Sequence, residues 1–507
     1  MKKYALLSTV AAASLACGQM TALAQEVQDA PPAPPQLIVL DTISECAGDG
    51  PIICQGGLDP TGVGSADPGA EIIIRGDAVV AAAAGPSTFF PTFEVGVITE
   101  ADMGIITLEA GGQVQALTDF SFGVTTLGSD SVVSISGDVI STGDFGGGLL
   151  SAFGINNTFI VEETGTVFSS GETSHAISLT GDGHSVIVNG IVHSQGFAAA
   201  GVLVGFGVDQ TVTVSETGQV FVEGMGSPGL STFFETTTSN SVFNNAGLVQ
   251  AFGTGGQGIT LATPGTSANN SGTIATMGQG SQGILLVQSN HTVTNSGFIS
   301  TTGSDLDTTY EEFLGLVLPG NGTTPITVSA SGIFIGNGGI AVTNSGTITA
   351  ADAAGIATNS DFAAITNTFP LGAGDASLPV TIINTETGTI SGTVGIQGSA
   401  LIEQVTNAGT INGDVLLAEG DDSLTLDLST SAINGLADGG AGLDTLTLMG
   451  VGLIDGADQG GFEILNIDGT AGLSGEFGDV ETLMIASGEL SLATATIGAM
   501  NGATLSE

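Results

Sequence analysis

The sequence predicts an all-β solenoid, and three observations carry that prediction. The first is a phrase repeated at a fixed interval. Asn244-Asn245-Ala246-Gly247-Leu248-Val249 is followed by Asn269-Asn270-Ser271-Gly272-Thr273-Ile274 and by Thr294-Asn295-Ser296-Gly297-Phe298-Ile299, so that the marker glycines fall evenly at Gly247, Gly272 and Gly297. The second is another marker locked to that interval, Gly258-Ile259 and Gly283-Ile284, with the same spacing. The third is composition: 81 glycines, no Trp, two Tyr and many Val, Ile, Thr, Ser and Ala residues suit short stacked strands with tight corners. Self-similarity at this period marks a repeat architecture in which each coil contacts only its neighbours.

Extending the ruler gives the coil length. Upstream, Gly137, Gly165, Gly190, Gly218 and Gly247 follow one another in steps of 28, 25, 28 and 29. Downstream, Gly297, Gly346, Gly388 and Gly409 follow in steps of 49, 42 and 21. Coils of about 21–29 residues are expected, with the steps of 49 and 42 read as double turns. Asn245, Asn270, Asn295, Asn344 and Asn407 share one phase. Stacked coils would place their amides in a ladder, at a corner whose backbone favours residues tolerant of the left-handed region.

Four regions follow in order. Residues 1–24 read as a secretory leader: Lys2-Lys3, an apolar stretch from Ala5 to Ala16, and Ala22-Leu23-Ala24 before Gln25 as a small-x-small cleavage site. A lipid attachment at Cys17 fits poorly, because Leu15 is one place too close to it. Residues 25–65 read as a stiff linker, Pro31-Pro32-Ala33-Pro34-Pro35, and a loop in which Cys46 and Cys54 are expected to form a disulfide. Residues 66–450 form the repeat body, and residues 451–507 a C-terminal β-repeat segment ending in mid-repeat text.

Within the body, Arg75-Gly76-Asp77 matches a tripeptide that some adhesins present to integrins, but strand-like sequence flanks it on both sides. Ser304 to Pro325, with Asp305, Asp307, Glu311 and Glu312, breaks the pattern and reads as a looped-out excursion or one degenerate coil. Gly439-Gly440-Ala441-Gly442-Leu443-Asp444-Thr445-Leu446 fits the calcium nonapeptide template. Asp421, Asp422 and Asp444 are therefore calcium candidates, although Asp422 and Asp444 lie 22 apart, and a β-roll repeats every two nonapeptides, about 18 residues. No other cofactor is expected.

Charge limits the partners. There are 50 acidic residues and three basic ones, and Lys2 and Lys3 lie in the leader. Without the leader the formal charge is −49, with Arg75 the sole base. Nucleic acid and anionic lipid both require clustered Lys and Arg, so neither is an expected partner. Acidity also keeps a β-rich chain soluble and discourages edge-to-edge pairing. No segment has the length of apolar sequence that a membrane helix needs.

The Asn-x-Gly-Thr-Ile repeats at Asn270–Ile274, Asn344–Ile348 and Asn407–Ile411, the Gly439–Leu446 segment and the Phe462-Glu463-Ile464-Leu465 step resemble the passenger region of bacterial autotransporters. The resemblance spans roughly Gly112 to Glu507. It implies a right-handed parallel β-helix, export to the cell surface or outer membrane of a Gram-negative bacterium, and adhesion to a host or neighbouring cell or to itself. The family's outer-membrane barrel would need about a dozen further alternating strands. These are not in the text, so attachment to a membrane is expected only through a barrel or transporter outside this chain.

An enzyme is the competing reading, since right-handed β-helices include polysaccharide lyases and hydrolases. A lyase needs a basic group against its uronate, and one Arg with no mature Lys supplies little. Carboxylate pairs for a hydrolase are unavoidable among 50 acids and carry no information. His175, His184 and His193 are nine apart and would fall on different sides of one coil. No catalytic residues are expected. The sequence reads as a non-catalytic exported adhesin-like solenoid, with a secreted carbohydrate-active β-helix and a calcium-stabilised β-roll as alternatives.

Overall fold

In a computed structural model the described residues are 27–28, 30–48, 50–84, 93–233, 239–309, 325–361, 374–492 and 496–497. The leader, Cys17, Glu311, Glu312 and residues 498–507 lie outside them. The chain is a right-handed parallel β-helix, and its coils have three faces through most of the length. A representative coil runs Val132–Ile135 on the first face, Asp138–Ser141 on the second and Gly147–Ser151 on the third. The next coil repeats this as Thr158–Val161, Thr166–Ser169 and His175–Thr180, all in parallel register. Strand-to-strand crossovers in parallel sheets take the right-handed sense because of strand twist.

Period-two alternation explains the core. On the first face Val133 and Ile135 point inward and are fully buried, while Val132 is exposed. Val139 and Leu149 complete that layer from the other faces. Each buried aliphatic side chain contributes about 1.5–3 kcal/mol, and the column of equivalent residues in adjacent coils forms one continuous core.

The two sequence markers are steric. A Cβ at Gly272 would lie 2.3 Å from the Gly247 carbonyl oxygen, and one at Gly297 would lie 2.2 Å from that of Gly272. At the corner between the first and second faces, successive backbones therefore approach too closely for any side chain. A Cβ at Gly283 would meet Ile299 at 2.4 Å inside the core.

Register corrects the reading of the long steps. Phe298 pairs with Thr347 and Thr347 with Thr389, so the intervals of 49 and 42 are single coils, not double turns. The first of them contains the Ser304 to Pro325 excursion. It leaves the body as an antiparallel pair, Leu306–Thr309 with Pro325–Val328, and residues 310–324 lie outside the described residues. Other coils also depart from the expected length. The register step from Glu71 to Ile105 is longer than the expected coil length, and the step from Ile464 to Thr482 is shorter. The last first-face strands lengthen together, as Thr445–Asp455, Ile464–Ser474 and Thr482–Leu492, and stack in parallel.

Stacking begins at Ile52, inside the stretch read as linker and cysteine loop, because Ile52–Cys54 pairs with Ile72–Ile74. Cys46 and Cys54 are disulfide-bonded. Cys54 occupies the buried column that continues through Ile74 and Leu108. The loop folds back through Ala47 against Ile53 and Ile43 beside Leu58, closing the open end of the core. The bond closes a loop of sequence separation eight. Reduction is therefore expected to weaken the chain by only about 2–3 kcal/mol. The effect should stay local: limited proteolysis with and without reductant should show new cleavage near the cysteines and none in the central coils.

The proline-rich run is not a spacer between regions. Gln28 N donates to Gln250 Oε1 at 3.2 Å and Gln250 Nε2 donates back to Gln28 O. Ile38 N donates to Gln113 Oε1 at 2.8 Å, Gln113 Nε2 to Gln36 O at 3.0 Å, and Gln115 Nε2 to Ile38 O at 2.9 Å. The segment is tied along the second face across several coils.

Candidate functional site

Two buried side-chain columns and one set of exposed corners carry the unusual chemistry. The first column is the asparagine ladder. Asn245, Asn270, Asn295, Asn344, Asn384 and Asn407 occupy the last inward position of the first face, and each Nδ2 donates to the next Oδ1 at 2.8 Å. Asn384 was missed in the sequence because Thr385-Glu386-Thr387 separates it from Gly388, where the other rungs have one residue. The ladder asparagines keep negative φ, so tolerance of left-handed backbone is not why they are there. Their side-chain bonds are the reason. Val214 precedes the ladder in register and Leu426 follows it, so the column is apolar on both sides.

The second column sits one residue before each first-face strand, at the corner between the third and first faces. Register places Ser131, Asn157, His184, Gln210, Ser241, Thr266 and His291 there in successive coils, all buried. Several accept the backbone N–H of the equivalent residue one coil earlier: Asn157 Oδ1 from Ser131 N at 2.8 Å, His184 Nδ1 from Asn157 N at 3.0 Å. Ile340 and Val380 interrupt the column, and it then resumes as carboxyls: Glu403, Asp422, Asp444 and Glu463. Glu403 N donates to Asp422 Oδ1 at 2.7 Å, Asp422 N to Asp444 Oδ1 at 2.8 Å, and Asp444 N to Glu463 Oε2 at 2.8 Å.

Glu403, Asp422 and Asp444 are buried, and the second oxygen of each has no hydrogen-bond partner. Burial pushes Glu403 up to about 9, against the Thr358 hydroxyl that donates to it, and the Asp422 charge adds to the rise. Burial also raises Asp422, to about 7, and Asp444. A carboxyl in such a place keeps its proton rather than its charge.

Of the calcium candidates, Asp422 and Asp444 stack in this column. Asp421 is exposed, and its Oδ1 accepts from Leu443 N at 2.9 Å. Among the described residues no three His, Cys, Asp or Glu side chains are grouped to hold one metal ion. The structure also separates the histidines. His175 begins a third-face strand, His184 takes the corner column, and His193 lies on the second face, 2.6 Å from Glu223 Oε1. Arg75-Gly76-Asp77 forms the corner after Glu71–Ile74, with Gly76 and Asp77 exposed and Arg75 paired to Glu109 of the next coil at 2.5 Å.

The exposed corners were missed altogether. Phe120, Phe145, Phe153 and Phe206 all have positive φ, from 47° to 68°, and are 51, 54, 71 and 64% exposed. Phe120 and Phe145 stack at 5.3 Å in adjacent coils, and Phe206 lies 5.2 Å from Phe233. No signal in single-sequence periodicity marks a corner position as left-handed, so nothing in the sequence singles these rings out.

What the fold defines is a class, the parallel β-solenoids. No protein-family model matches the chain and no curated protein matches it.

Proposed function

We propose that the chain is a non-catalytic exported surface protein of the autotransporter-passenger kind, whose work is adhesion to a cell surface or between cells. The observation that supports this reading most directly is the phenylalanine corners. Left-handed backbone favours Gly or Asn, and a bulky residue held there is a strained outlier. Comparable left-handed corners are held by Asn156, Asn240 and Asn290 and by the smaller Thr173 and Ala198, so the turn itself does not call for an aromatic ring. Four exposed rings at such sites on a rigid stack point instead to contact with a partner. Stacked coils would repeat these contacts along the rod, so that weak individual contacts add by multivalency.

The test replaces all four by Asn in the full chain. Thermal stability is expected to hold or rise, because Asn tolerates this backbone. Retention of chain-coated beads on cell layers, or on one another, is expected to fall at least tenfold. Unchanged retention by the variant, or no retention by the native chain above bare beads, would remove the reading.

A further inference from the structure

The outward side of the second face carries a column whose burial needs an explanation. Gln115, Ile140, Phe168, His193, Phe221 and Gln250 succeed one another in register and face away from the central core. Every one of them is buried. Beyond Ala275 the same column is only half-buried at Ser300, Thr349 and Ser391, and it is exposed at Asn412. On the other side, Ala81 is half-buried. Burial thus covers the coils between the anchors of Gln28 and Ile38 and runs one coil further, to Ala275, where the residue is small.

Length agrees. Five coil steps separate Gln115 from Gln250 in register, about 24 Å at sheet spacing. Ten residues of polyproline II reach about 31 Å, enough to span the anchors with slack. Chemistry agrees as well. The anchors are glutamine side chains bonding the segment's backbone, as donor and acceptor together at Gln250 and at Gln113. Between them lie Pro31, Pro32, Pro34 and Pro35, which have no N–H and so leave no donor unpaired over an apolar floor. Phe168, His193 and Phe221 form that floor, with successive rings edge-to-face at 5.3 and 6.1 Å.

We propose that this strip, from Gln113 to Gln250, is a binding groove for an extended proline-rich peptide, filled in cis by the chain's own residues 28–38. Without an occupant, the buried amides of Gln113 and Gln250 would lose these partners, so the groove is built around a ligand of this class. Recognition is through backbone carbonyls and N–H groups at the two ends and through polyproline shape in the middle. A proline-rich segment from another chain would meet the same partners once the resident one is displaced. The resident segment competes as a tethered ligand at high effective concentration.

The experiment uses the full chain with a protease site inserted after Val39, which is exposed. A labelled synthetic peptide of residues 27–38 is titrated onto cut and uncut protein. The cut chain is expected to bind it saturably, and the uncut chain at least tenfold more weakly. A peptide with its four prolines changed to glycine should bind the cut chain at least fivefold more weakly. No binding to cut protein that keeps its β-structure overturns the proposal, as does equal binding of the glycine peptide. If cutting unfolds the chain, the uncut Gln250→Ala variant decides. Proteolysis within residues 25–38 should speed up at least fivefold while the coils stay protected, and an unchanged rate overturns the groove.

Discussion

Glu403→Gln is expected to flatten a loss of stability that the buried Glu403 carboxyl predicts for the native chain between pH 7 and 9. In the folded chain Glu403 holds its proton up to about pH 9, whereas in the unfolded chain it has ionised by pH 7. Folding above pH 7 must therefore bind a proton, and stability falls by about 1.4 kcal/mol per pH unit for each such group. The sign follows from the direction of the shift. A carboxyl raised in the folded state contributes fully below its unfolded pKa, and that contribution is lost as pH rises through the folded value.

Asp422, raised to about 7, acts in the same direction and completes most of its loss earlier, and burial raises Asp444 in the same sense. The histidines act oppositely. Burial lowers His175 and His291 to about 4 and lowers His184 and His193 as well, so their contribution is lost as pH falls below the ordinary imidazole range. Above pH 7 they are neutral in both states and drop out, which is why the window from 7 to 9 isolates the carboxyls. Gln keeps the acceptor for the Thr358 hydroxyl and carries no charge at any pH. The variant should gain about 1–3 kcal/mol at pH 8 and nearly nothing at pH 4. Thermal unfolding across this range checks it, and parallel pH curves for the two proteins would sink the idea.

The contrast between the columns shows what single-sequence reasoning reaches. Asn245, Asn270 and Asn295 were legible because one residue type recurs at a constant interval beside a glycine that sterics require. Even the corrected steps of 49 and 42 kept their phase, since an excursion adds residues without moving the register. The corner column was illegible for the opposite reason. Its position in the coil is fixed, but the task there is only to accept a neighbouring N–H. Ser, Asn, His, Asp and Glu can each do that, so no single residue type runs through the column. Asp422 and Asp444 drew notice through a calcium template that shares their spacing with glycines, and Glu403 drew none. The groove was hidden for a third reason: residues 28 and 250 are tied by side-chain amides, and no periodicity links a strap to the face it crosses.

Asn295→Leu is expected to be among the most damaging single changes in the central coils, and Asn245→Val among the mildest in the same column. The two residues share a side-chain type, a face and full burial. They differ in connection. Asn295 Oδ1 accepts from Asn270 and its Nδ2 donates to Asn344. Removing it deprives the Asn270 amide and the Asn344 oxygen of their shortest bonds inside the core. Each buried polar group left without its partner costs about 1–3 kcal/mol, so a loss of about 2–5 kcal/mol is expected. Asn245 begins the ladder. Its Oδ1 already lacks a partner, and the residue beneath it is Val214. Valine there extends the apolar column by one coil and removes an amide that was half-satisfied at the start. The loss should be about 1–2 kcal/mol, mainly from the Asn270 oxygen. Solenoids unfold coil by coil, so a single global midpoint can hide the difference. Amide hydrogen exchange in the strands flanking each site resolves it. Equal loss of protection at the two sites would mean that the amides act one by one, each paired with its own coil, and that the ladder is not a connected element. A larger loss around Asn295, spreading to the coils of Asn270 and Asn344, is the result that a shared hydrogen-bonded column requires.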